Sequence, residues 1–310
     1  MNILDKFPQH KIPGNTPIVV AYGGGTNSTA LLIAMWLKGI KPAHILFCDT
    51  GGEREGTYQF ISQFDDWLDS VGFPRITRLQ HQMTGTRPRP RTKVAFRFGK
   101  FLTPTVLAGS IPWVRWALEY HWFRQTRQYE TLLEECLILG TPPSKAFGSG
   151  KCSHKWKVGP QQKFIKQTYG NTRVQVWVGI HAGEQDRLLT RDGLVKPFET
   201  PLGWDCYPLA YWGLSQKHCA ALNARFAPTK VAKSSCWFCP NAKVQEIQEL
   251  KHDHSELFDL GVSVENLAKY HGSGKGLARS FDWSDVEHMS ETEQLALDLF
   301  AERRTCACID

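Results

Sequence analysis

The feature that most constrains this chain is an apolar run followed directly by three glycines. The run Ile18-Val19-Val20-Ala21-Tyr22 is apolar and rich in β-branched residues, which is typical of a buried strand. The loop Gly23-Gly24-Gly25-Thr26-Asn27-Ser28 follows at once, and residues 28–38 are predicted to form a helix with Ser28 as its N-cap. A strand that enters a glycine turn and leaves it as a helix predicts an α/β fold.

The alternation of strand and helix continues beyond this loop. Residues 44–48 are predicted to form a second strand that ends at Asp49-Thr50-Gly51-Gly52. A second helix is predicted at 57–70, with an apolar face made of Tyr58, Ile61, Phe64, Trp67 and Leu68. Such alternation predicts a parallel sheet with right-handed crossovers. Beyond these elements we predict a strand at 174–180, helices at 113–139, 155–168, 215–225, 241–252 and 290–303, and loops at 80–112 and 141–150.

The glycine loop has the chemistry of a phosphate site. Glycines let the backbone approach a ligand, and a helix that starts at the turn directs N–H groups and the positive end of its dipole toward an anion. Ser28 and Thr29 add hydroxyl donors. The loop has neither the Gly-Lys-Ser/Thr ending of a P-loop nor GxGxxG spacing, so a turn without a ligand is the alternative. The segment ending at Glu53 favours a ligand, because it follows the second strand at the edge where open sheets bind them.

Four motifs, in order along the chain, resemble those of one superfamily. The loop resembles the SGGxDS loop of the PP-loop superfamily, the adenine nucleotide α-hydrolase-like proteins. The segment Asp49-Thr50-Gly51 with Glu53 and Thr57-Tyr58 resembles the DTGxxxPET segment of phosphoadenosine phosphosulfate (PAPS) reductases. Two later segments also resemble motifs of that family: Gly179-Ile180 with Glu184 and Arg187, and Pro208-Leu209 with Trp212. The resemblance spans roughly residues 16–240.

The resemblance implies a five-stranded parallel sheet flanked by helices that binds ATP, or else PAPS or adenosine phosphosulfate (APS). It implies a catalytic role for Asp49. It assigns nucleotide binding to the glycine loop together with Thr50, Gly51, Glu53, Glu184 and Arg187. Two positions depart from the pattern, because Gly23 replaces a serine and Asn27 replaces an aspartate. Since Asn27 has no carboxylate, Asp49 or Glu53 would hold a Mg²⁺ ion in its place.

The cysteines suggest a metal or iron–sulfur site. Cys236-Trp237-Phe238-Cys239-Pro240 is a C-x-x-C motif, and four thiolates hold either a [4Fe-4S] cluster or zinc. The segments 151–157 and 233–240 are similar to those of phage and bacterial PAPS reductase-like proteins. The resemblance to APS reductases and to the DNA phosphorothioation sulfurtransferase nominates Cys152, Cys236 and Cys239 as cluster ligands. We expect Cys219, or alternatively Cys206, to be the fourth. The simpler alternative, small buried hydrophobes, suits Cys48 and Cys136 best.

Two more cysteines lie at the end of the chain, in Cys306-Ala307-Cys308-Ile309-Asp310. PAPS reductases also end in a tail with a nucleophilic cysteine, but its glutamate, glycine and histidine are absent here. Cys306 and Cys308 are therefore candidates for a nucleophile, a persulfide carrier or a bystander, since a thiol reacts only when its pKa is lowered.

The formal charge of +7 is unevenly distributed. No acidic residue lies between His81 and Leu118, a stretch that contains Arg87, Arg89, Arg91, Lys93, Arg97, Lys100 and Arg115. Arginines meet phosphates, and the nearby Phe96, Phe98 and Phe101 could stack on bases, so this basic loop (87–100) is predicted to bind tRNA or DNA. A solvated loop, or a clamp on the nucleotide's own phosphates, is the alternative.

The composition predicts a cytoplasmic protein. There is no apolar stretch long enough for a membrane span and no signal peptide, so no membrane association is expected. The chain of 310 residues is long enough for a large core with a smaller appended unit. We predict a nucleotide-binding α/β domain at 1–205 and a helical, cysteine-rich part at 206–310.

Three functions fit these features. The first is ATP-dependent adenylation of a nucleic acid, followed by transfer of sulfur or another nucleophile with an iron–sulfur cluster and a sulfur donor. The second is a sulfonucleotide reductase, in which Cys308 or Cys306 attacks PAPS or APS and a thioredoxin-like reductant releases sulfite. The third is a nucleotide or nucleic-acid binder without catalysis, which Asn27 would favour, since fold similarity alone does not fix activity.

Overall fold

The computed structural model describes residues 12–81, 129–143, 151–189, 198–231, 234–270, 276–278 and 281–288, and these fall into two units. Unit 1 consists of the described residues 12–81, 153–189, 198–231 and 234–235. Unit 2 consists of 129–143, 151–152, 236–270, 276–278 and 281–288. The glycine loop and the motifs after the second and fourth strands all belong to unit 1.

A six-stranded sheet forms the centre of unit 1. Its order is β3-β2-β1-β4-β6-β5, and all neighbouring strands are parallel except β5 and β6. The strands are β1 (Ile18–Tyr22), β2 (His44–Asp49), β3 (Ile76–Gln80), β4 (Val174–Val178), β5 (Glu199–Thr200) and β6 (Gly203–Cys206). The predicted α/β class is confirmed, with helices flanking a mostly parallel sheet. The expected count of five strands is wrong, because Glu199 and Thr200 turn back to pair antiparallel with β6 at the edge.

The helices of the described residues are α1 (Thr26–Leu37), α2 (Glu55–Ser70), α3 (Leu132–Leu139), α4 (Gly159–Tyr169), α5 (Pro208–Tyr211), α6 (Gln216–Phe226), α7 (Val244–Asp253) and α8 (Ser255–Tyr270). A short helical turn, Lys151–Ser153, and a π-helical segment, His154–Val158, precede α4. Two 3₁₀ turns lie at Gln185–Leu188 and Trp283–His288. None of the helices in the described part of the chain is long and apolar enough to cross a membrane.

Helix α1 is buried on nearly every side. It packs against α6, and its side chains from Asn27 to Met35 are all buried. The main core joins it to the sheet through Val20, Ile45 and Phe47, and to α2 through Ile61 and Phe64. A fully surrounded helix has little freedom to shift, since protein interiors are close-packed. The N-terminus of α1 is therefore held in a fixed position at the end of β1.

The start of α1 differs from the prediction. Ser28 was expected to be the N-cap, but the helix begins at Thr26 and the N-cap is Gly25, which has no side chain to bond the first turn. Ser28 lies inside that first turn. The reason is the extended backbone at Gly25, which lets the helix begin as soon as the glycines end.

Unit 2 contains helices α3, α7 and α8. Its buried carboxylate, Glu265 of α8, accepts hydrogen bonds from the backbone N–H groups of Leu277 at 2.8 Å and Trp283 at 3.1 Å. Lys269 lies 3.5 Å from the same carboxylate. Trp283 is fully buried against Gly261, where a β-carbon would lie 2.5 Å from its ring. A buried charge needs such partners, so Glu265 fixes the segments around it to α8.

Strand β6 supplies a test of stability against pH. Burial raises the pKa of Asp205 to about 6, and no described residue donates a hydrogen bond to its carboxylate. The unfolded value is about 3.9, so the folded state favours the protonated acid and loses stability as the pH rises from about 4 to about 6. We expect Asp205→Asn to be more stable than the native chain above pH 6 by about 1–2 kcal/mol, after allowing for solvent screening.

Thermal unfolding of Asp205→Asn and of the native chain between pH 4 and pH 8 would measure this difference. We expect the gap between their melting temperatures to widen as the pH rises. The exposed Asp259 of α8 offers the control, since Asp259→Asn removes the same charge outside any buried setting. A gap of equal size at pH 4 and pH 8 would show that burial of the ionised Asp205 is not the cause.

Candidate functional site

Three loops meet at one edge of the sheet of unit 1. The glycine loop follows β1, residues 49–53 follow β2, and residues 179–187 follow β4. Strand β1 lies between β2 and β4, so the chain order reverses at its carboxyl end. Ligands of open α/β sheets bind at such a switch point. The three predicted motifs of this edge therefore lie on neighbouring strands.

The glycine loop is shaped by its contacts with α2. Gly24 has a positive φ of 78°, a conformation that favours glycine. A β-carbon at this position would lie 3.0 Å from the side chain of Ile61 and 3.4 Å from that of Thr57. Gly25 then leads into α1 without a side-chain cap, which leaves the first N–H groups of the helix available to a ligand.

The hydroxyl groups near the loop point into the protein. Ser28 Oγ accepts from the N–H of Gly23 at 3.2 Å and donates to the carbonyl of Gly25 at 3.3 Å. Thr29 Oγ1 pairs with the hydroxyl of Tyr22 at 3.3 Å. Burial raises the pKa of Tyr22 above its usual value, so it stays neutral. These bonds hold the loop in shape. The role of the Ser28 and Thr29 hydroxyls as donors to a phosphate stays a prediction.

Gly179 brings the end of β4 onto the first turn of α1. A β-carbon there would lie 2.8 Å from the backbone nitrogen of Ser28 and 2.9 Å from the carbonyl carbon of Asn27. Both are backbone atoms, which cannot move aside cheaply. Only glycine allows this approach, so it sets the distance between α1 and the loop after β4.

Asn27 is part of a polar cluster with Glu184, Arg187 and His181. Asn27 Nδ2 donates to Glu184 Oε2 at 3.0 Å, and Arg187 Nη1 donates to Glu184 Oε1 at 2.9 Å. The backbone N–H of His181 also donates to Glu184 Oε2, at 3.3 Å. The ring of His181 accepts from Gly183 N–H through Nδ1 at 3.0 Å, which places Nε2 3.5 Å from Glu184.

This cluster explains the amide at position 27. The side chain of Arg187 is only 7% exposed and that of Glu184 15%. An aspartate at position 27 would set a second carboxylate beside Glu184, whereas the amide of Asn27 donates to it. The amide at position 27, where the SGGxDS loop has an aspartate, is therefore matched by its neighbours in this protein. Arg187 brings a buried cation to the edge that holds the loop.

Asp49 is the residue predicted to be catalytic. Its Oδ1 accepts from Gly51 N–H at 2.8 Å and from the hydroxyl of Tyr58 at 2.7 Å. Burial and the bond to Asp49 raise the pKa of Tyr58 above its usual value. Gly51 has a φ of 68°, and Thr50 Oγ1 accepts from Gly52 N–H at 3.3 Å. The contacts of Asp49 Oδ1 shape this turn at the end of β2.

Glu53 forms a buried ion pair that the sequence did not predict. Its side chain is fully buried, and Lys157 Nζ lies 3.5 Å from Oε1. Lys157 belongs to the π-helical segment. The backbone carbonyl of Lys157 accepts a hydrogen bond from Cys48 Sγ at 3.0 Å. Burial raises the pKa of Cys48 to about 12, so this thiol is inert. The segment thus ties β2 to the site and adds a second cation.

The predicted cluster ligands fall into two groups. Cys219 lies on α6 in the apolar core of unit 1, where burial raises its pKa to about 11. Cys206, the alternative ligand, is also buried there, and burial raises its pKa to about 12. In unit 2, Cys152, Cys236 and Cys239 are partly exposed.

The C-x-x-C motif forms a turn in unit 2. The N–H of Cys239 donates to the carbonyl of Cys236 at 3.0 Å, and the rings of Trp237 and Phe238 between them are buried. Within the described ranges, no three Cys, His, Asp or Glu side chains converge in a way that could hold a metal ion. The iron–sulfur cluster and the zinc alternative therefore stay predictions.

Other predictions have mixed outcomes. Cys48 and Cys136 are buried, as expected for small hydrophobes. The basic loop (87–100), Cys306 and Cys308 lie outside the described residues.

Four residues of the site were missed or given no role by sequence reasoning. Besides Lys157 and His181, these are Asn223 of α6, whose Nδ2 donates to the carbonyl of Thr26 at 2.8 Å, and Ser234, which lies against Gly25. Lys157 and Ser234 fall in the two segments that drew attention for their cysteines. Neither segment has a pattern that indicates contact with the sheet edge, so only the fold shows their roles.

No protein-family model matches the chain. The uncharacterized nin region protein ORF290 of Escherichia phage lambda is 25% identical over 178 residues, which cover 57% of this chain and 52% of that protein. The chain thus spans about half the length of this relative.

Proposed function

We propose that unit 1 binds an adenine nucleotide, with a phosphate group against the N-terminus of α1. One observation carries the proposal: Gly179 lets the end of β4 touch the backbone of the first turn of α1, where Gly25 leaves the helix uncapped. An uncapped helix N-terminus at a switch point combines N–H donors with a positive dipole end. Such a place stabilises an anion without needing a charged side chain in the loop.

The cations of the site support the same ligand. Arg187 and Lys157 each lie at this edge, paired with Glu184 and Glu53. The carboxylates Asp49, Glu53 and Glu184 already accept protein hydrogen bonds or ion pairs. We therefore expect any Mg²⁺ that takes part to arrive on the nucleotide.

We propose that the reaction is adenylation. An oxygen of the acceptor attacks the α-phosphorus of ATP, the bond to the β-phosphate oxygen breaks, and pyrophosphate leaves. A sulfur or other nucleophile then displaces AMP from the activated acceptor. N–H groups at the start of α1 stabilise the negative charge that develops on the phosphates. The acceptor we propose is a nucleic acid, tRNA or DNA, on the strength of the basic loop (87–100).

The experiment measures two products from the full chain, purified without oxygen. Pyrophosphate release from ATP is followed with and without bulk tRNA or DNA, and sulfite release from PAPS and APS is followed with thioredoxin. Pyrophosphate that depends on nucleic acid is the expected result and identifies the acceptor class. Sulfite without pyrophosphate would replace adenylation by sulfonucleotide reduction. Bound ATP without either product would leave a nucleotide binder, and no binding of any of the three nucleotides would refute the site itself.

A further inference from the structure

We infer that Ser234 is a phosphate-binding residue: its hydroxyl donates a hydrogen bond to the oxyanion held at the N-terminus of α1. The inference rests on the proposed nucleotide site and adds a residue to it. Ser234 was not among the residues that any motif assigned to the nucleotide.

Ser234 lies directly against the glycine loop. A β-carbon at Gly25 would be 3.0 Å from Ser234 Oγ and 3.5 Å from its Cβ. Ser234 is only 7% exposed, and Oγ finds no hydrogen-bond partner within the described part of the chain. The hydroxyl is therefore both buried and unsatisfied, at the residue that caps α1.

A buried hydroxyl without a partner destabilises a fold, so native structures contain few of them. Ser234 stands beside a second unsatisfied feature, the first turn of α1, which has no side-chain cap. Hydroxyl and backbone N–H groups are all donors, and one tetrahedral oxyanion accepts from several donors at once. A phosphate group bound there would satisfy both features together.

The geometry also explains the third glycine of the loop. Gly25 has an ordinary negative φ of −101°, so its backbone does not require glycine. The contact with Ser234 does, because any side chain at position 25 would push on the hydroxyl. Asn223 holds the same turn from α6 through the carbonyl of Thr26, which keeps the loop in place beneath the proposed phosphate.

The test compares Ser234→Ala with Ser235→Ala, which removes the neighbouring hydroxyl of a partly exposed residue. Calorimetry on the full chain measures binding of ATP, PAPS and inorganic pyrophosphate, and thermal melting measures the stability of each protein without ligand. We expect Ser234→Ala to bind at least one of these about 10- to 100-fold more weakly, in line with a lost hydrogen bond to a charged group. We expect its melting temperature without ligand to be equal or higher, since an unsatisfied group is gone.

A Ser234→Ala variant that binds more weakly but melts no lower has lost a contact with the ligand. A variant that melts lower has lost a contact that holds the fold together. If Ser234→Ala melts lower and Ser234→Cys, which keeps the side-chain size, binds as well as the native chain, the hydroxyl is structural and the inference is wrong. If the native chain and Ser234→Ala bind a probe equally well, the role of Ser234 is refuted, but the proposed nucleotide site is not. If the native chain binds none of the three probes, the proposed function and the inference fail together.

Discussion

Replacing Gly179 with alanine is expected to abolish nucleotide binding, with a loss of affinity of at least ~100-fold. The new β-carbon would lie 2.8 Å from Ser28 N and 2.9 Å from Ser28 Cα, so the first turn of α1 or the end of β4 must shift. A shift of either changes the distance on which the proposed phosphate site depends. We also expect the free energy of unfolding to fall by about 2–3 kcal/mol, as for overpacked cores. Calorimetric titration with ATP and chemical denaturation measure the two effects.

Gly56 provides the matched control for Gly179→Ala. It lies in α2, and a β-carbon there would meet nothing within 4 Å. Gly56→Ala should therefore leave binding unchanged and raise stability by up to about 1 kcal/mol, since alanine is the better helix former. If Gly179→Ala binds ATP as the native chain does, the contact between β4 and α1 does not define the ligand site.

Asn27→Asp, which introduces the aspartate of the SGGxDS loop that this loop resembles, is expected to weaken this protein. The present amide lies 3.0 Å from Glu184 Oε2 in a buried setting, and a carboxylate there would repel Glu184. We expect a loss of about 2–4 kcal/mol in stability near pH 8, together with weaker nucleotide binding. Two close carboxylates share a proton more readily at low pH, so the loss should shrink toward pH 5.

Two variants test the cause of the Asn27→Asp effect. The double variant Asn27→Asp with Glu184→Gln exchanges acceptor and donor between the two positions, and it should recover part of the loss. Asn171→Asp adds the same charge at an exposed turn, and it should stay within about 0.5 kcal/mol of the native chain. A deficit that is equal at pH 5 and pH 8 and is not relieved by the double variant would exclude repulsion from Glu184.

The strands predicted from the sequence are those that the fold buries most. Strands β1, β2 and β4 have long apolar runs because they lie side by side at the centre of the sheet. Strand β3 was assigned to no strand, since Ile76-Thr77-Arg78-Leu79-Gln80 is an edge strand with polar residues and no buried position. The pair β5 and β6 was also missed, because Glu199–Thr200 is too short to show a period.

Helix predictions went wrong where local signals were ambiguous. The break between α7 and α8 is a single residue, His254, and no glycine or proline marks it. The helix predicted at 155–168 begins with a π-helical segment, whose extra residue per turn blurs the apolar period. Helix α1 was placed two residues late, since a serine is the more common N-cap and the capping glycine has no signature of its own.

The site was predictable as a place but not as a set of contacts. The glycine loop and the Asp49 segment were expected at one edge, because the carboxyl ends of parallel strands meet there. The Glu184 motif was assigned to the nucleotide by resemblance alone. The pairing of Asn27 with Glu184 joins residues far apart in sequence, which no local pattern encodes. The burial of Cys219 in the core of unit 1 could not be read from the spacing of the cysteines either, because that spacing does not show which side of α6 faces the core.

The order of the strands in the sheet also governs how the chain is made. Strand β1 is central, yet its partner β4 begins only at Val174, about 90 residues after β3 ends at Gln80. The edge of β1 that faces β4 is free from the end of β1 at Tyr22, about 150 residues earlier, so at about 5–20 residues per second it waits on the order of 8–30 s for its partner. An unpaired apolar edge is a template for aggregation during that time. Gly179 arrives at the end of the same interval, so the glycine loop has no contact with the end of β4 until then.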